Sequence, residues 1–300
     1  MTIAPELLPY QDEPKQLPSG KFGKDARLRL GFEARERGSI LALMERKAPL
    51  LVQRALYCDD GMPFMPVVFI ITNSGGILQG DRYTLDFTVG QDACGHITTQ
   101  AATKIHEMDA NYASQTQEIT LEEGAYLEYI PEPIIPFRHS RFHTRTKIRI
   151  APTATLLYSE ILMGGRLFYR EGERFEFDLF SSTISAERLD GLELFAEKFI
   201  IEPWRSPVSQ LGIMGEFSVF GNVLLLTPPE HAVAIQKQVK AVWNQEEFAT
   251  GVSYLPNDAG LIYRVVAKES SIVRAKVREF WSLVRLQVTG FSVPPKPPWR

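Results

Sequence analysis

Apolar residues recur at every second position in one short run after another, and this alternation restricts most of the chain to β-strands. Arg27–Ala34 reads RLRLGFEA, with Leu28, Leu30 and Phe32 on one face and Arg27, Arg29 and Gly31 on the other. The same period continues in Tyr83–Val89, Ile148–Ile150, Glu173–Leu179 and Leu192–Ile201. Glycine, proline or acidic turns part these runs at roughly the 8–12-residue spacing of all-β folds. Residues 25 to about 226 are therefore expected to be β-dominated. Two helices are expected after them. Thr227-Pro228-Pro229-Glu230 has the form of a capping box with proline in the first turn, and Ile235, Val239, Val242 and Trp243 make an apolar stripe behind it. Val273, Val277, Phe280, Trp281 and Val284 make the second stripe. Packing on the sheets is the expected use of each stripe, and a partner-binding helix is the other. The sequence divides into a loose tail (1–24), one β-rich domain (25–291) and a proline-rich tail (292–300), without an internal repeat.

With 44% apolar and 23% charged residues, the 300-residue chain has the composition of a folded domain. A net charge of −3 gives no global attraction to nucleic acid or to an anionic membrane. Cys58 and Cys94 form no CxxC pair and read as reduced thiols. The opening residues hold no apolar core of a signal peptide, and the apolar runs at Val67–Ile71 and Val223–Leu226 are too short to span a bilayer. A cytoplasmic location is expected.

Several chemistries fail on inspection. His106-Glu107 opens like a zincin motif, but Ala110 stands where the second histidine belongs. Gly75–Gly80 has the glycine spacing of a phosphate loop, yet Asp81-Arg82 follows where lysine and a hydroxyl are needed. His139 and His143 sit in a stretch that alternates like a strand, and four strand residues span ~13 Å, too far for one ion. In that stretch Arg141, His143, Arg145, Lys147 and Arg149 share one face, opposite Phe142, Thr144, Thr146, Ile148 and Ile150. A solvated face or a docking patch for an acidic protein are the two readings.

Acids at core positions are more informative. Glu160 shares a strand face with Leu156, Tyr158 and Leu162; Glu128 sits inside YLEYI; Glu197 shares a face with Phe195, Phe199 and Ile201. A buried carboxylate costs several kcal/mol unless it is paired or binds a cation. Each could neutralise an arginine, or several together could line a polar channel. Carboxylate oxygens bind a divalent transition-metal ion less tightly than thiolates or imidazole clusters, which suits an ion in transit.

Five segments then follow in order: VQRALY (52–57), SGGILQGDRY (Ser74–Tyr83), TTQAATK (Thr98–Lys104), GAYLEYIPEPIIPF (Gly124–Phe137) and LLYSEILMGGR (Leu156–Arg166). In this order they resemble the urease accessory protein family UreD, also called UreH. The resemblance implies a mainly β fold of layered, helically wound sheets in one large domain, with two helices in the C-terminal region. It implies no enzymatic activity and no permanently bound cofactor. Such proteins serve nickel insertion into apo-urease, in a complex with a helical UreF-like protein and a UreG-like GTPase. Ni2+ passes transiently through an interior passage, with neither nucleic acid nor membrane as partner. Carried over, Asp81, Thr103, Lys104, Glu160 and Glu197 are the nickel-passage candidates. Arg141, Arg145, Lys147 and Arg149 are the partner-binding candidates. Gln79, Tyr129 and Ser159 depart from the family pattern and alter the expected shape of a passage. Two other classes compete: a β-rich hydrolase with Asp81 and Glu160 as its acid–base pair, and a metal-independent β scaffold.

Overall fold

The computed structural model describes residues 3–12, 23–210, 212–244 and 246–295. The alternating runs form two large mixed sheets. Seven strands make the first, in the order Glu193–Ile201, Leu179–Glu187, Arg141–Ile150, Ala113–Leu121, Arg82–Val89, Asp25–Arg35, Gly38–Lys47. The second has eleven. Its main path runs Val242–Asn244, Phe248–Tyr254, Gly260–Ala267, Val219–Leu226, Thr155–Met163, Tyr126–Tyr129, Cys94–Thr99, Val67–Thr72, Leu50–Leu51. Thr103–Ile105 and Ile134–Pro136 pair beside that path.

Between residues 82 and 187 the chain alternates between the sheets, so neighbouring strands within each are parallel. Arg82 lies opposite Ser114, and Cys94 opposite Tyr126, 32 residues on in both sheets. Ala113 lies opposite Phe142, and Tyr126 opposite Thr155, 29 residues on in both. These equal steps are the helical winding. No sequence repeat accompanies them, because inward positions demand only apolar side chains that fill the space. Phe32, Phe87, Phe142, Phe180, Leu127 and Leu156 fill it.

Helix α2 (Ser270–Thr289) covers the outer face of the second sheet with the apolar stripe read from the sequence. Phe280 stacks on Tyr263 with ring centroids 4.6 Å apart, and Gly290 ends the helix at φ 75°. Sandwiched between core and helix, Thr155–Met163 is buried on both faces, which is why that strand reads as a nearly continuous apolar run.

The fold corrects four expectations. Helix α1 (Pro229–Gln236) is only eight residues long and has no side-chain cap, because the Thr227 hydroxyl pairs with that of Thr155 at 2.8 Å. Val242 and Trp243 lie on an edge strand and are exposed, and three strands between 242 and 267 extend the β region past 226. Glu173–Asp178 is irregular; the Glu173 carboxylate is drawn to the Arg166 guanidinium and the Arg138 amide, and the strand starts at Leu179. Residues within both predicted tails are packed. Pro5–Tyr10 forms a 3-10 helix that buries Leu7, Val293 is buried, and Arg278 donates to the Pro294 and Pro295 carbonyls. Residues 1–2, 13–22 and 296–300 of those tails lie outside the described residues. Cys58 and Cys94 are both unbridged.

Candidate functional site

The space between the sheets is not wholly apolar. Inward positions of facing strands bring together Gln117, Tyr129, Thr144, Thr146, Tyr158 and Glu160. Gln117 donates to Thr146 at 2.9 Å and accepts from the Tyr129 hydroxyl at 2.8 Å. Beside this polar layer lies a cavity of about 50 Å³ walled by Tyr83, Thr103, Gln117, Thr144, Tyr158 and Glu160. About 10–15 Å³ admits one water on this measure, so a few waters fit.

Two wider cavities flank it. Toward the glycine turn, a space of about 150 Å³ shares Thr72, Ile77, Thr99 and Thr103 with the narrow one, and Gly75, Gly76 and Lys104 form its rim. Gly76 sits at φ 155°, and a Cβ there would strike the His106 ring at 2.6 Å, so the rim requires glycine. On the other side, Asn222 is the cross-strand partner of Glu160 and donates to Glu197 at 3.4 Å. Asn222 and Glu197 border a third cavity of about 390 Å³, which also takes in Leu162 and Arg264. The first two spaces share lining residues, and the third is related to the narrow one through the Glu160–Asn222 register pair.

Glu160 occupies the narrow part. It is 5% exposed, and one carboxylate oxygen accepts from the Tyr158 hydroxyl at 3.3 Å and the Ser182 hydroxyl at 3.4 Å. Its other oxygen has no partner, nor do the Thr144 hydroxyl and the Asn222 carbonyl oxygen. Burial pushes Glu160 up to about 7 against those two hydroxyls. Oxygens without partners among the described residues thus face the interior from both sheets, and buried polar groups of this kind are met by water or an ion. Among the described residues no three His, Cys, Asp or Glu side chains are grouped to hold a metal ion.

The other sequence candidates fall at different places. Thr103 lies between rim and narrow part, Lys104 at the rim, and Glu197 beyond Glu160, where it is ion-paired to Arg264. Asp81 lines none of the described cavities. It is fully buried, accepting from the Lys24 amide at 2.9 Å, the Leu78 amide at 2.9 Å and the Tyr83 hydroxyl at 3.3 Å. The glycine turn opens at Gly75 and Gly76 instead. Asp81 anchors the turn, and its link to the cavity runs through Tyr83.

On the basic strand, Arg141 pairs with Asp178 at 2.8 Å and Lys147 with Glu187 at 2.8 Å. Arg145 and Arg149 are exposed without an ion pair among the described residues. Of the buried acids, Glu128 took the arginine-paired course, with a partner that sequence reasoning missed. Arg285 of α2, itself fully buried, grips Glu128 at 2.8 and 2.7 Å and Asp59 at 2.6 Å. Tyr126 and His96 complete the Glu128 shell at 2.6 and 2.8 Å. Burial would push Glu128 up; the guanidinium, joined by His96, outweighs it and holds the acid well below the carboxylate range. The overlooked signal was an arginine on the apolar stripe, one turn after Trp281.

The family model described as "UreD urease accessory protein" matches residues 24–300. Proteins named urease accessory protein UreD 2 from Brucella suis and Brucella melitensis are 56% identical over 292 residues, 97% of this chain and 97% of each relative. A protein named urease accessory protein UreD from Yersinia pseudotuberculosis is 49% identical over 298 residues, 99% of this chain and 93% of its own length.

Proposed function

This chain belongs to the UreD family of urease accessory proteins, and on that premise we propose that it is a non-catalytic conduit for nickel insertion into apo-urease. One observation carries the reading: three neighbouring interior cavities, with the buried, half-satisfied Glu160 lining the smallest of them. Ni2+ is the cargo. The rim at Gly75, Gly76 and Lys104 and the wide end at Glu197 and Arg264 are its two openings. Thr103 and Glu160 offer oxygen to a hydrated ion between them. A UreF-like helical protein brings a UreG-like GTPase to one opening, which supplies the ion, and apo-urease receives it at the other. The division of labour follows from the broken phosphate loop, whose Asp81 is committed to backbone amides. The exposed Arg145 and Arg149, with Arg141 and Lys147 beside them, offer a cationic face to urease. The complex works in the cytoplasm.

The test is Glu160→Gln in cells that express a urease operon. Expected is a folded protein that still co-purifies with urease but leaves it poor in nickel and weakly active. Full nickel content and activity with this variant would end the conduit reading.

A further inference from the structure

Residues 4–12 cross the outer face of the seven-stranded sheet. The Glu6 carboxylate accepts from the Ser181 hydroxyl at 2.6 Å and lies 2.8 Å from the Lys198 ammonium. Leu7 is 4% exposed. The Tyr10 ring lies 4.6 Å from the Arg141 guanidinium, and Asn111 donates to the Asp12 carbonyl at 3.1 Å. Ser181 is the register partner of both His143 and Ile200, so three adjacent strands build the seat. Two features mark it as a recognition surface rather than simple tail packing. Its contacts are selective: one buried leucine, one ion pair and one ring on a cation, while Ile3 and Leu8 stay 45% and 60% exposed. It also continues into Arg145 and Arg149, the exposed cations that meet no acid among the described residues. The bound segment displays the chemistry the seat accepts, because it is acidic at one end and aromatic at the other.

We infer that this seat is a docking site for an acidic partner segment with a carboxylate, an adjacent leucine and an aromatic residue three further on, and that residues 4–12 fill it until such a segment displaces them. Removing the internal ligand leaves Lys198 without its acid and uncovers the hole of Leu7, so a free seat binds more tightly than an occupied one. The inference rests on the reading that the basic face meets a partner.

The probe is a fluorescein-labelled synthetic peptide with the sequence of residues 4–12, followed by anisotropy. The full-length variant Glu6→Lys, Leu7→Asp is expected to bind it at least tenfold more tightly than the parent. Adding Lys198→Glu should cost at least tenfold, and a scrambled peptide should bind neither. If the first variant melts early, Glu6→Gln with Tyr10→Ala reads the same shift. Equal binding to parent and vacated chain, or equal binding of the scrambled peptide, overturns the seat. Purified apo-urease is then added, and release of the peptide supports the partner. Peptide that stays bound under saturating apo-urease overturns competition by urease and leaves the conduit reading intact, since that stands on nickel content.

Discussion

Replacing Arg285 with methionine, Arg285→Met, strips the counter-charge from two buried acids while keeping most of the side-chain volume. Glu128, Asp59 and Arg285 are each no more than 1% exposed, and three charge-assisted hydrogen bonds of 2.6–2.8 Å vanish together. Breaking one partner of such a cluster costs about 3–5 kcal/mol. At roughly 2–4 °C per kcal/mol for a chain of this order of size, melting should fall by about 6–20 °C at pH 7.5. The pH dependence discriminates further. In the parent the depressed Glu128 contributes stability that is present above the unfolded value of ~4.3 and lost as pH falls through the lower folded value. Without Arg285, burial dominates and the folded value rises above the unfolded one. The variant then loses stability as pH climbs between the two and regains it on acidification. Thermal melts at pH 7.5 and 5.0 should show the gap narrowing at pH 5.0, and adding Glu128→Gln should recover part of the loss at pH 7.5. A single variant within ~1 kcal/mol of the parent at pH 7.5, or parallel pH slopes, would refute the reasoning.

Glu160→Gln should be more stable than the parent at pH 8, with the gap closing by pH 5. A carboxylate raised from ~4.3 to about 7 drains roughly 3 kcal/mol over that interval, and melts at the two pH values check it. Asp81→Asn should destabilise by about 2 kcal/mol in urea unfolding, because an amide nitrogen cannot accept from the Leu78 or Lys24 amide; an unchanged midpoint would sink the anchor role. Arg145→Glu with Arg149→Glu should leave the melting temperature nearly unchanged, within ~0.5 kcal/mol. It should weaken capture of apo-urease most at low salt, where unscreened charge counts. Undiminished capture would remove this face from the contact.

Strand periodicity was legible wherever only one face of a sheet is buried, as along Arg27–Phe32. It faded where α2 buries the second face, and no rule of alternation could show Leu157 and Ile161 turning from the inner core to the helix. The capping box at Thr227 misled because a hydroxyl takes whichever partner lies nearest, and a neighbouring strand came closer than the helix end. Glu160 and Glu128 were both visible as acids in apolar runs, yet their fates differ through residues remote in sequence. Arg285 is 157 positions from Glu128, whereas no cation among the described residues meets Glu160. Asp81 was legible as the acid of a glycine turn. Which side of that turn opens was decided by His106 packing on Gly76, a contact that local sequence does not encode.

The Arg285 cluster also sets an order of events during synthesis. Glu128 leaves the ribosome 157 residues ahead of its counter-ion, an interval of roughly 8–30 s at ~5–20 residues per second. Throughout that time the coils wound between 82 and 163 can pair, but their acids must stay hydrated and the outer face of the second sheet must stay open. Burial of Glu128 and Asp59 waits for the turn of α2 that carries Arg285. A chain that stops short of Arg285 therefore leaves both acids without their counter-charge.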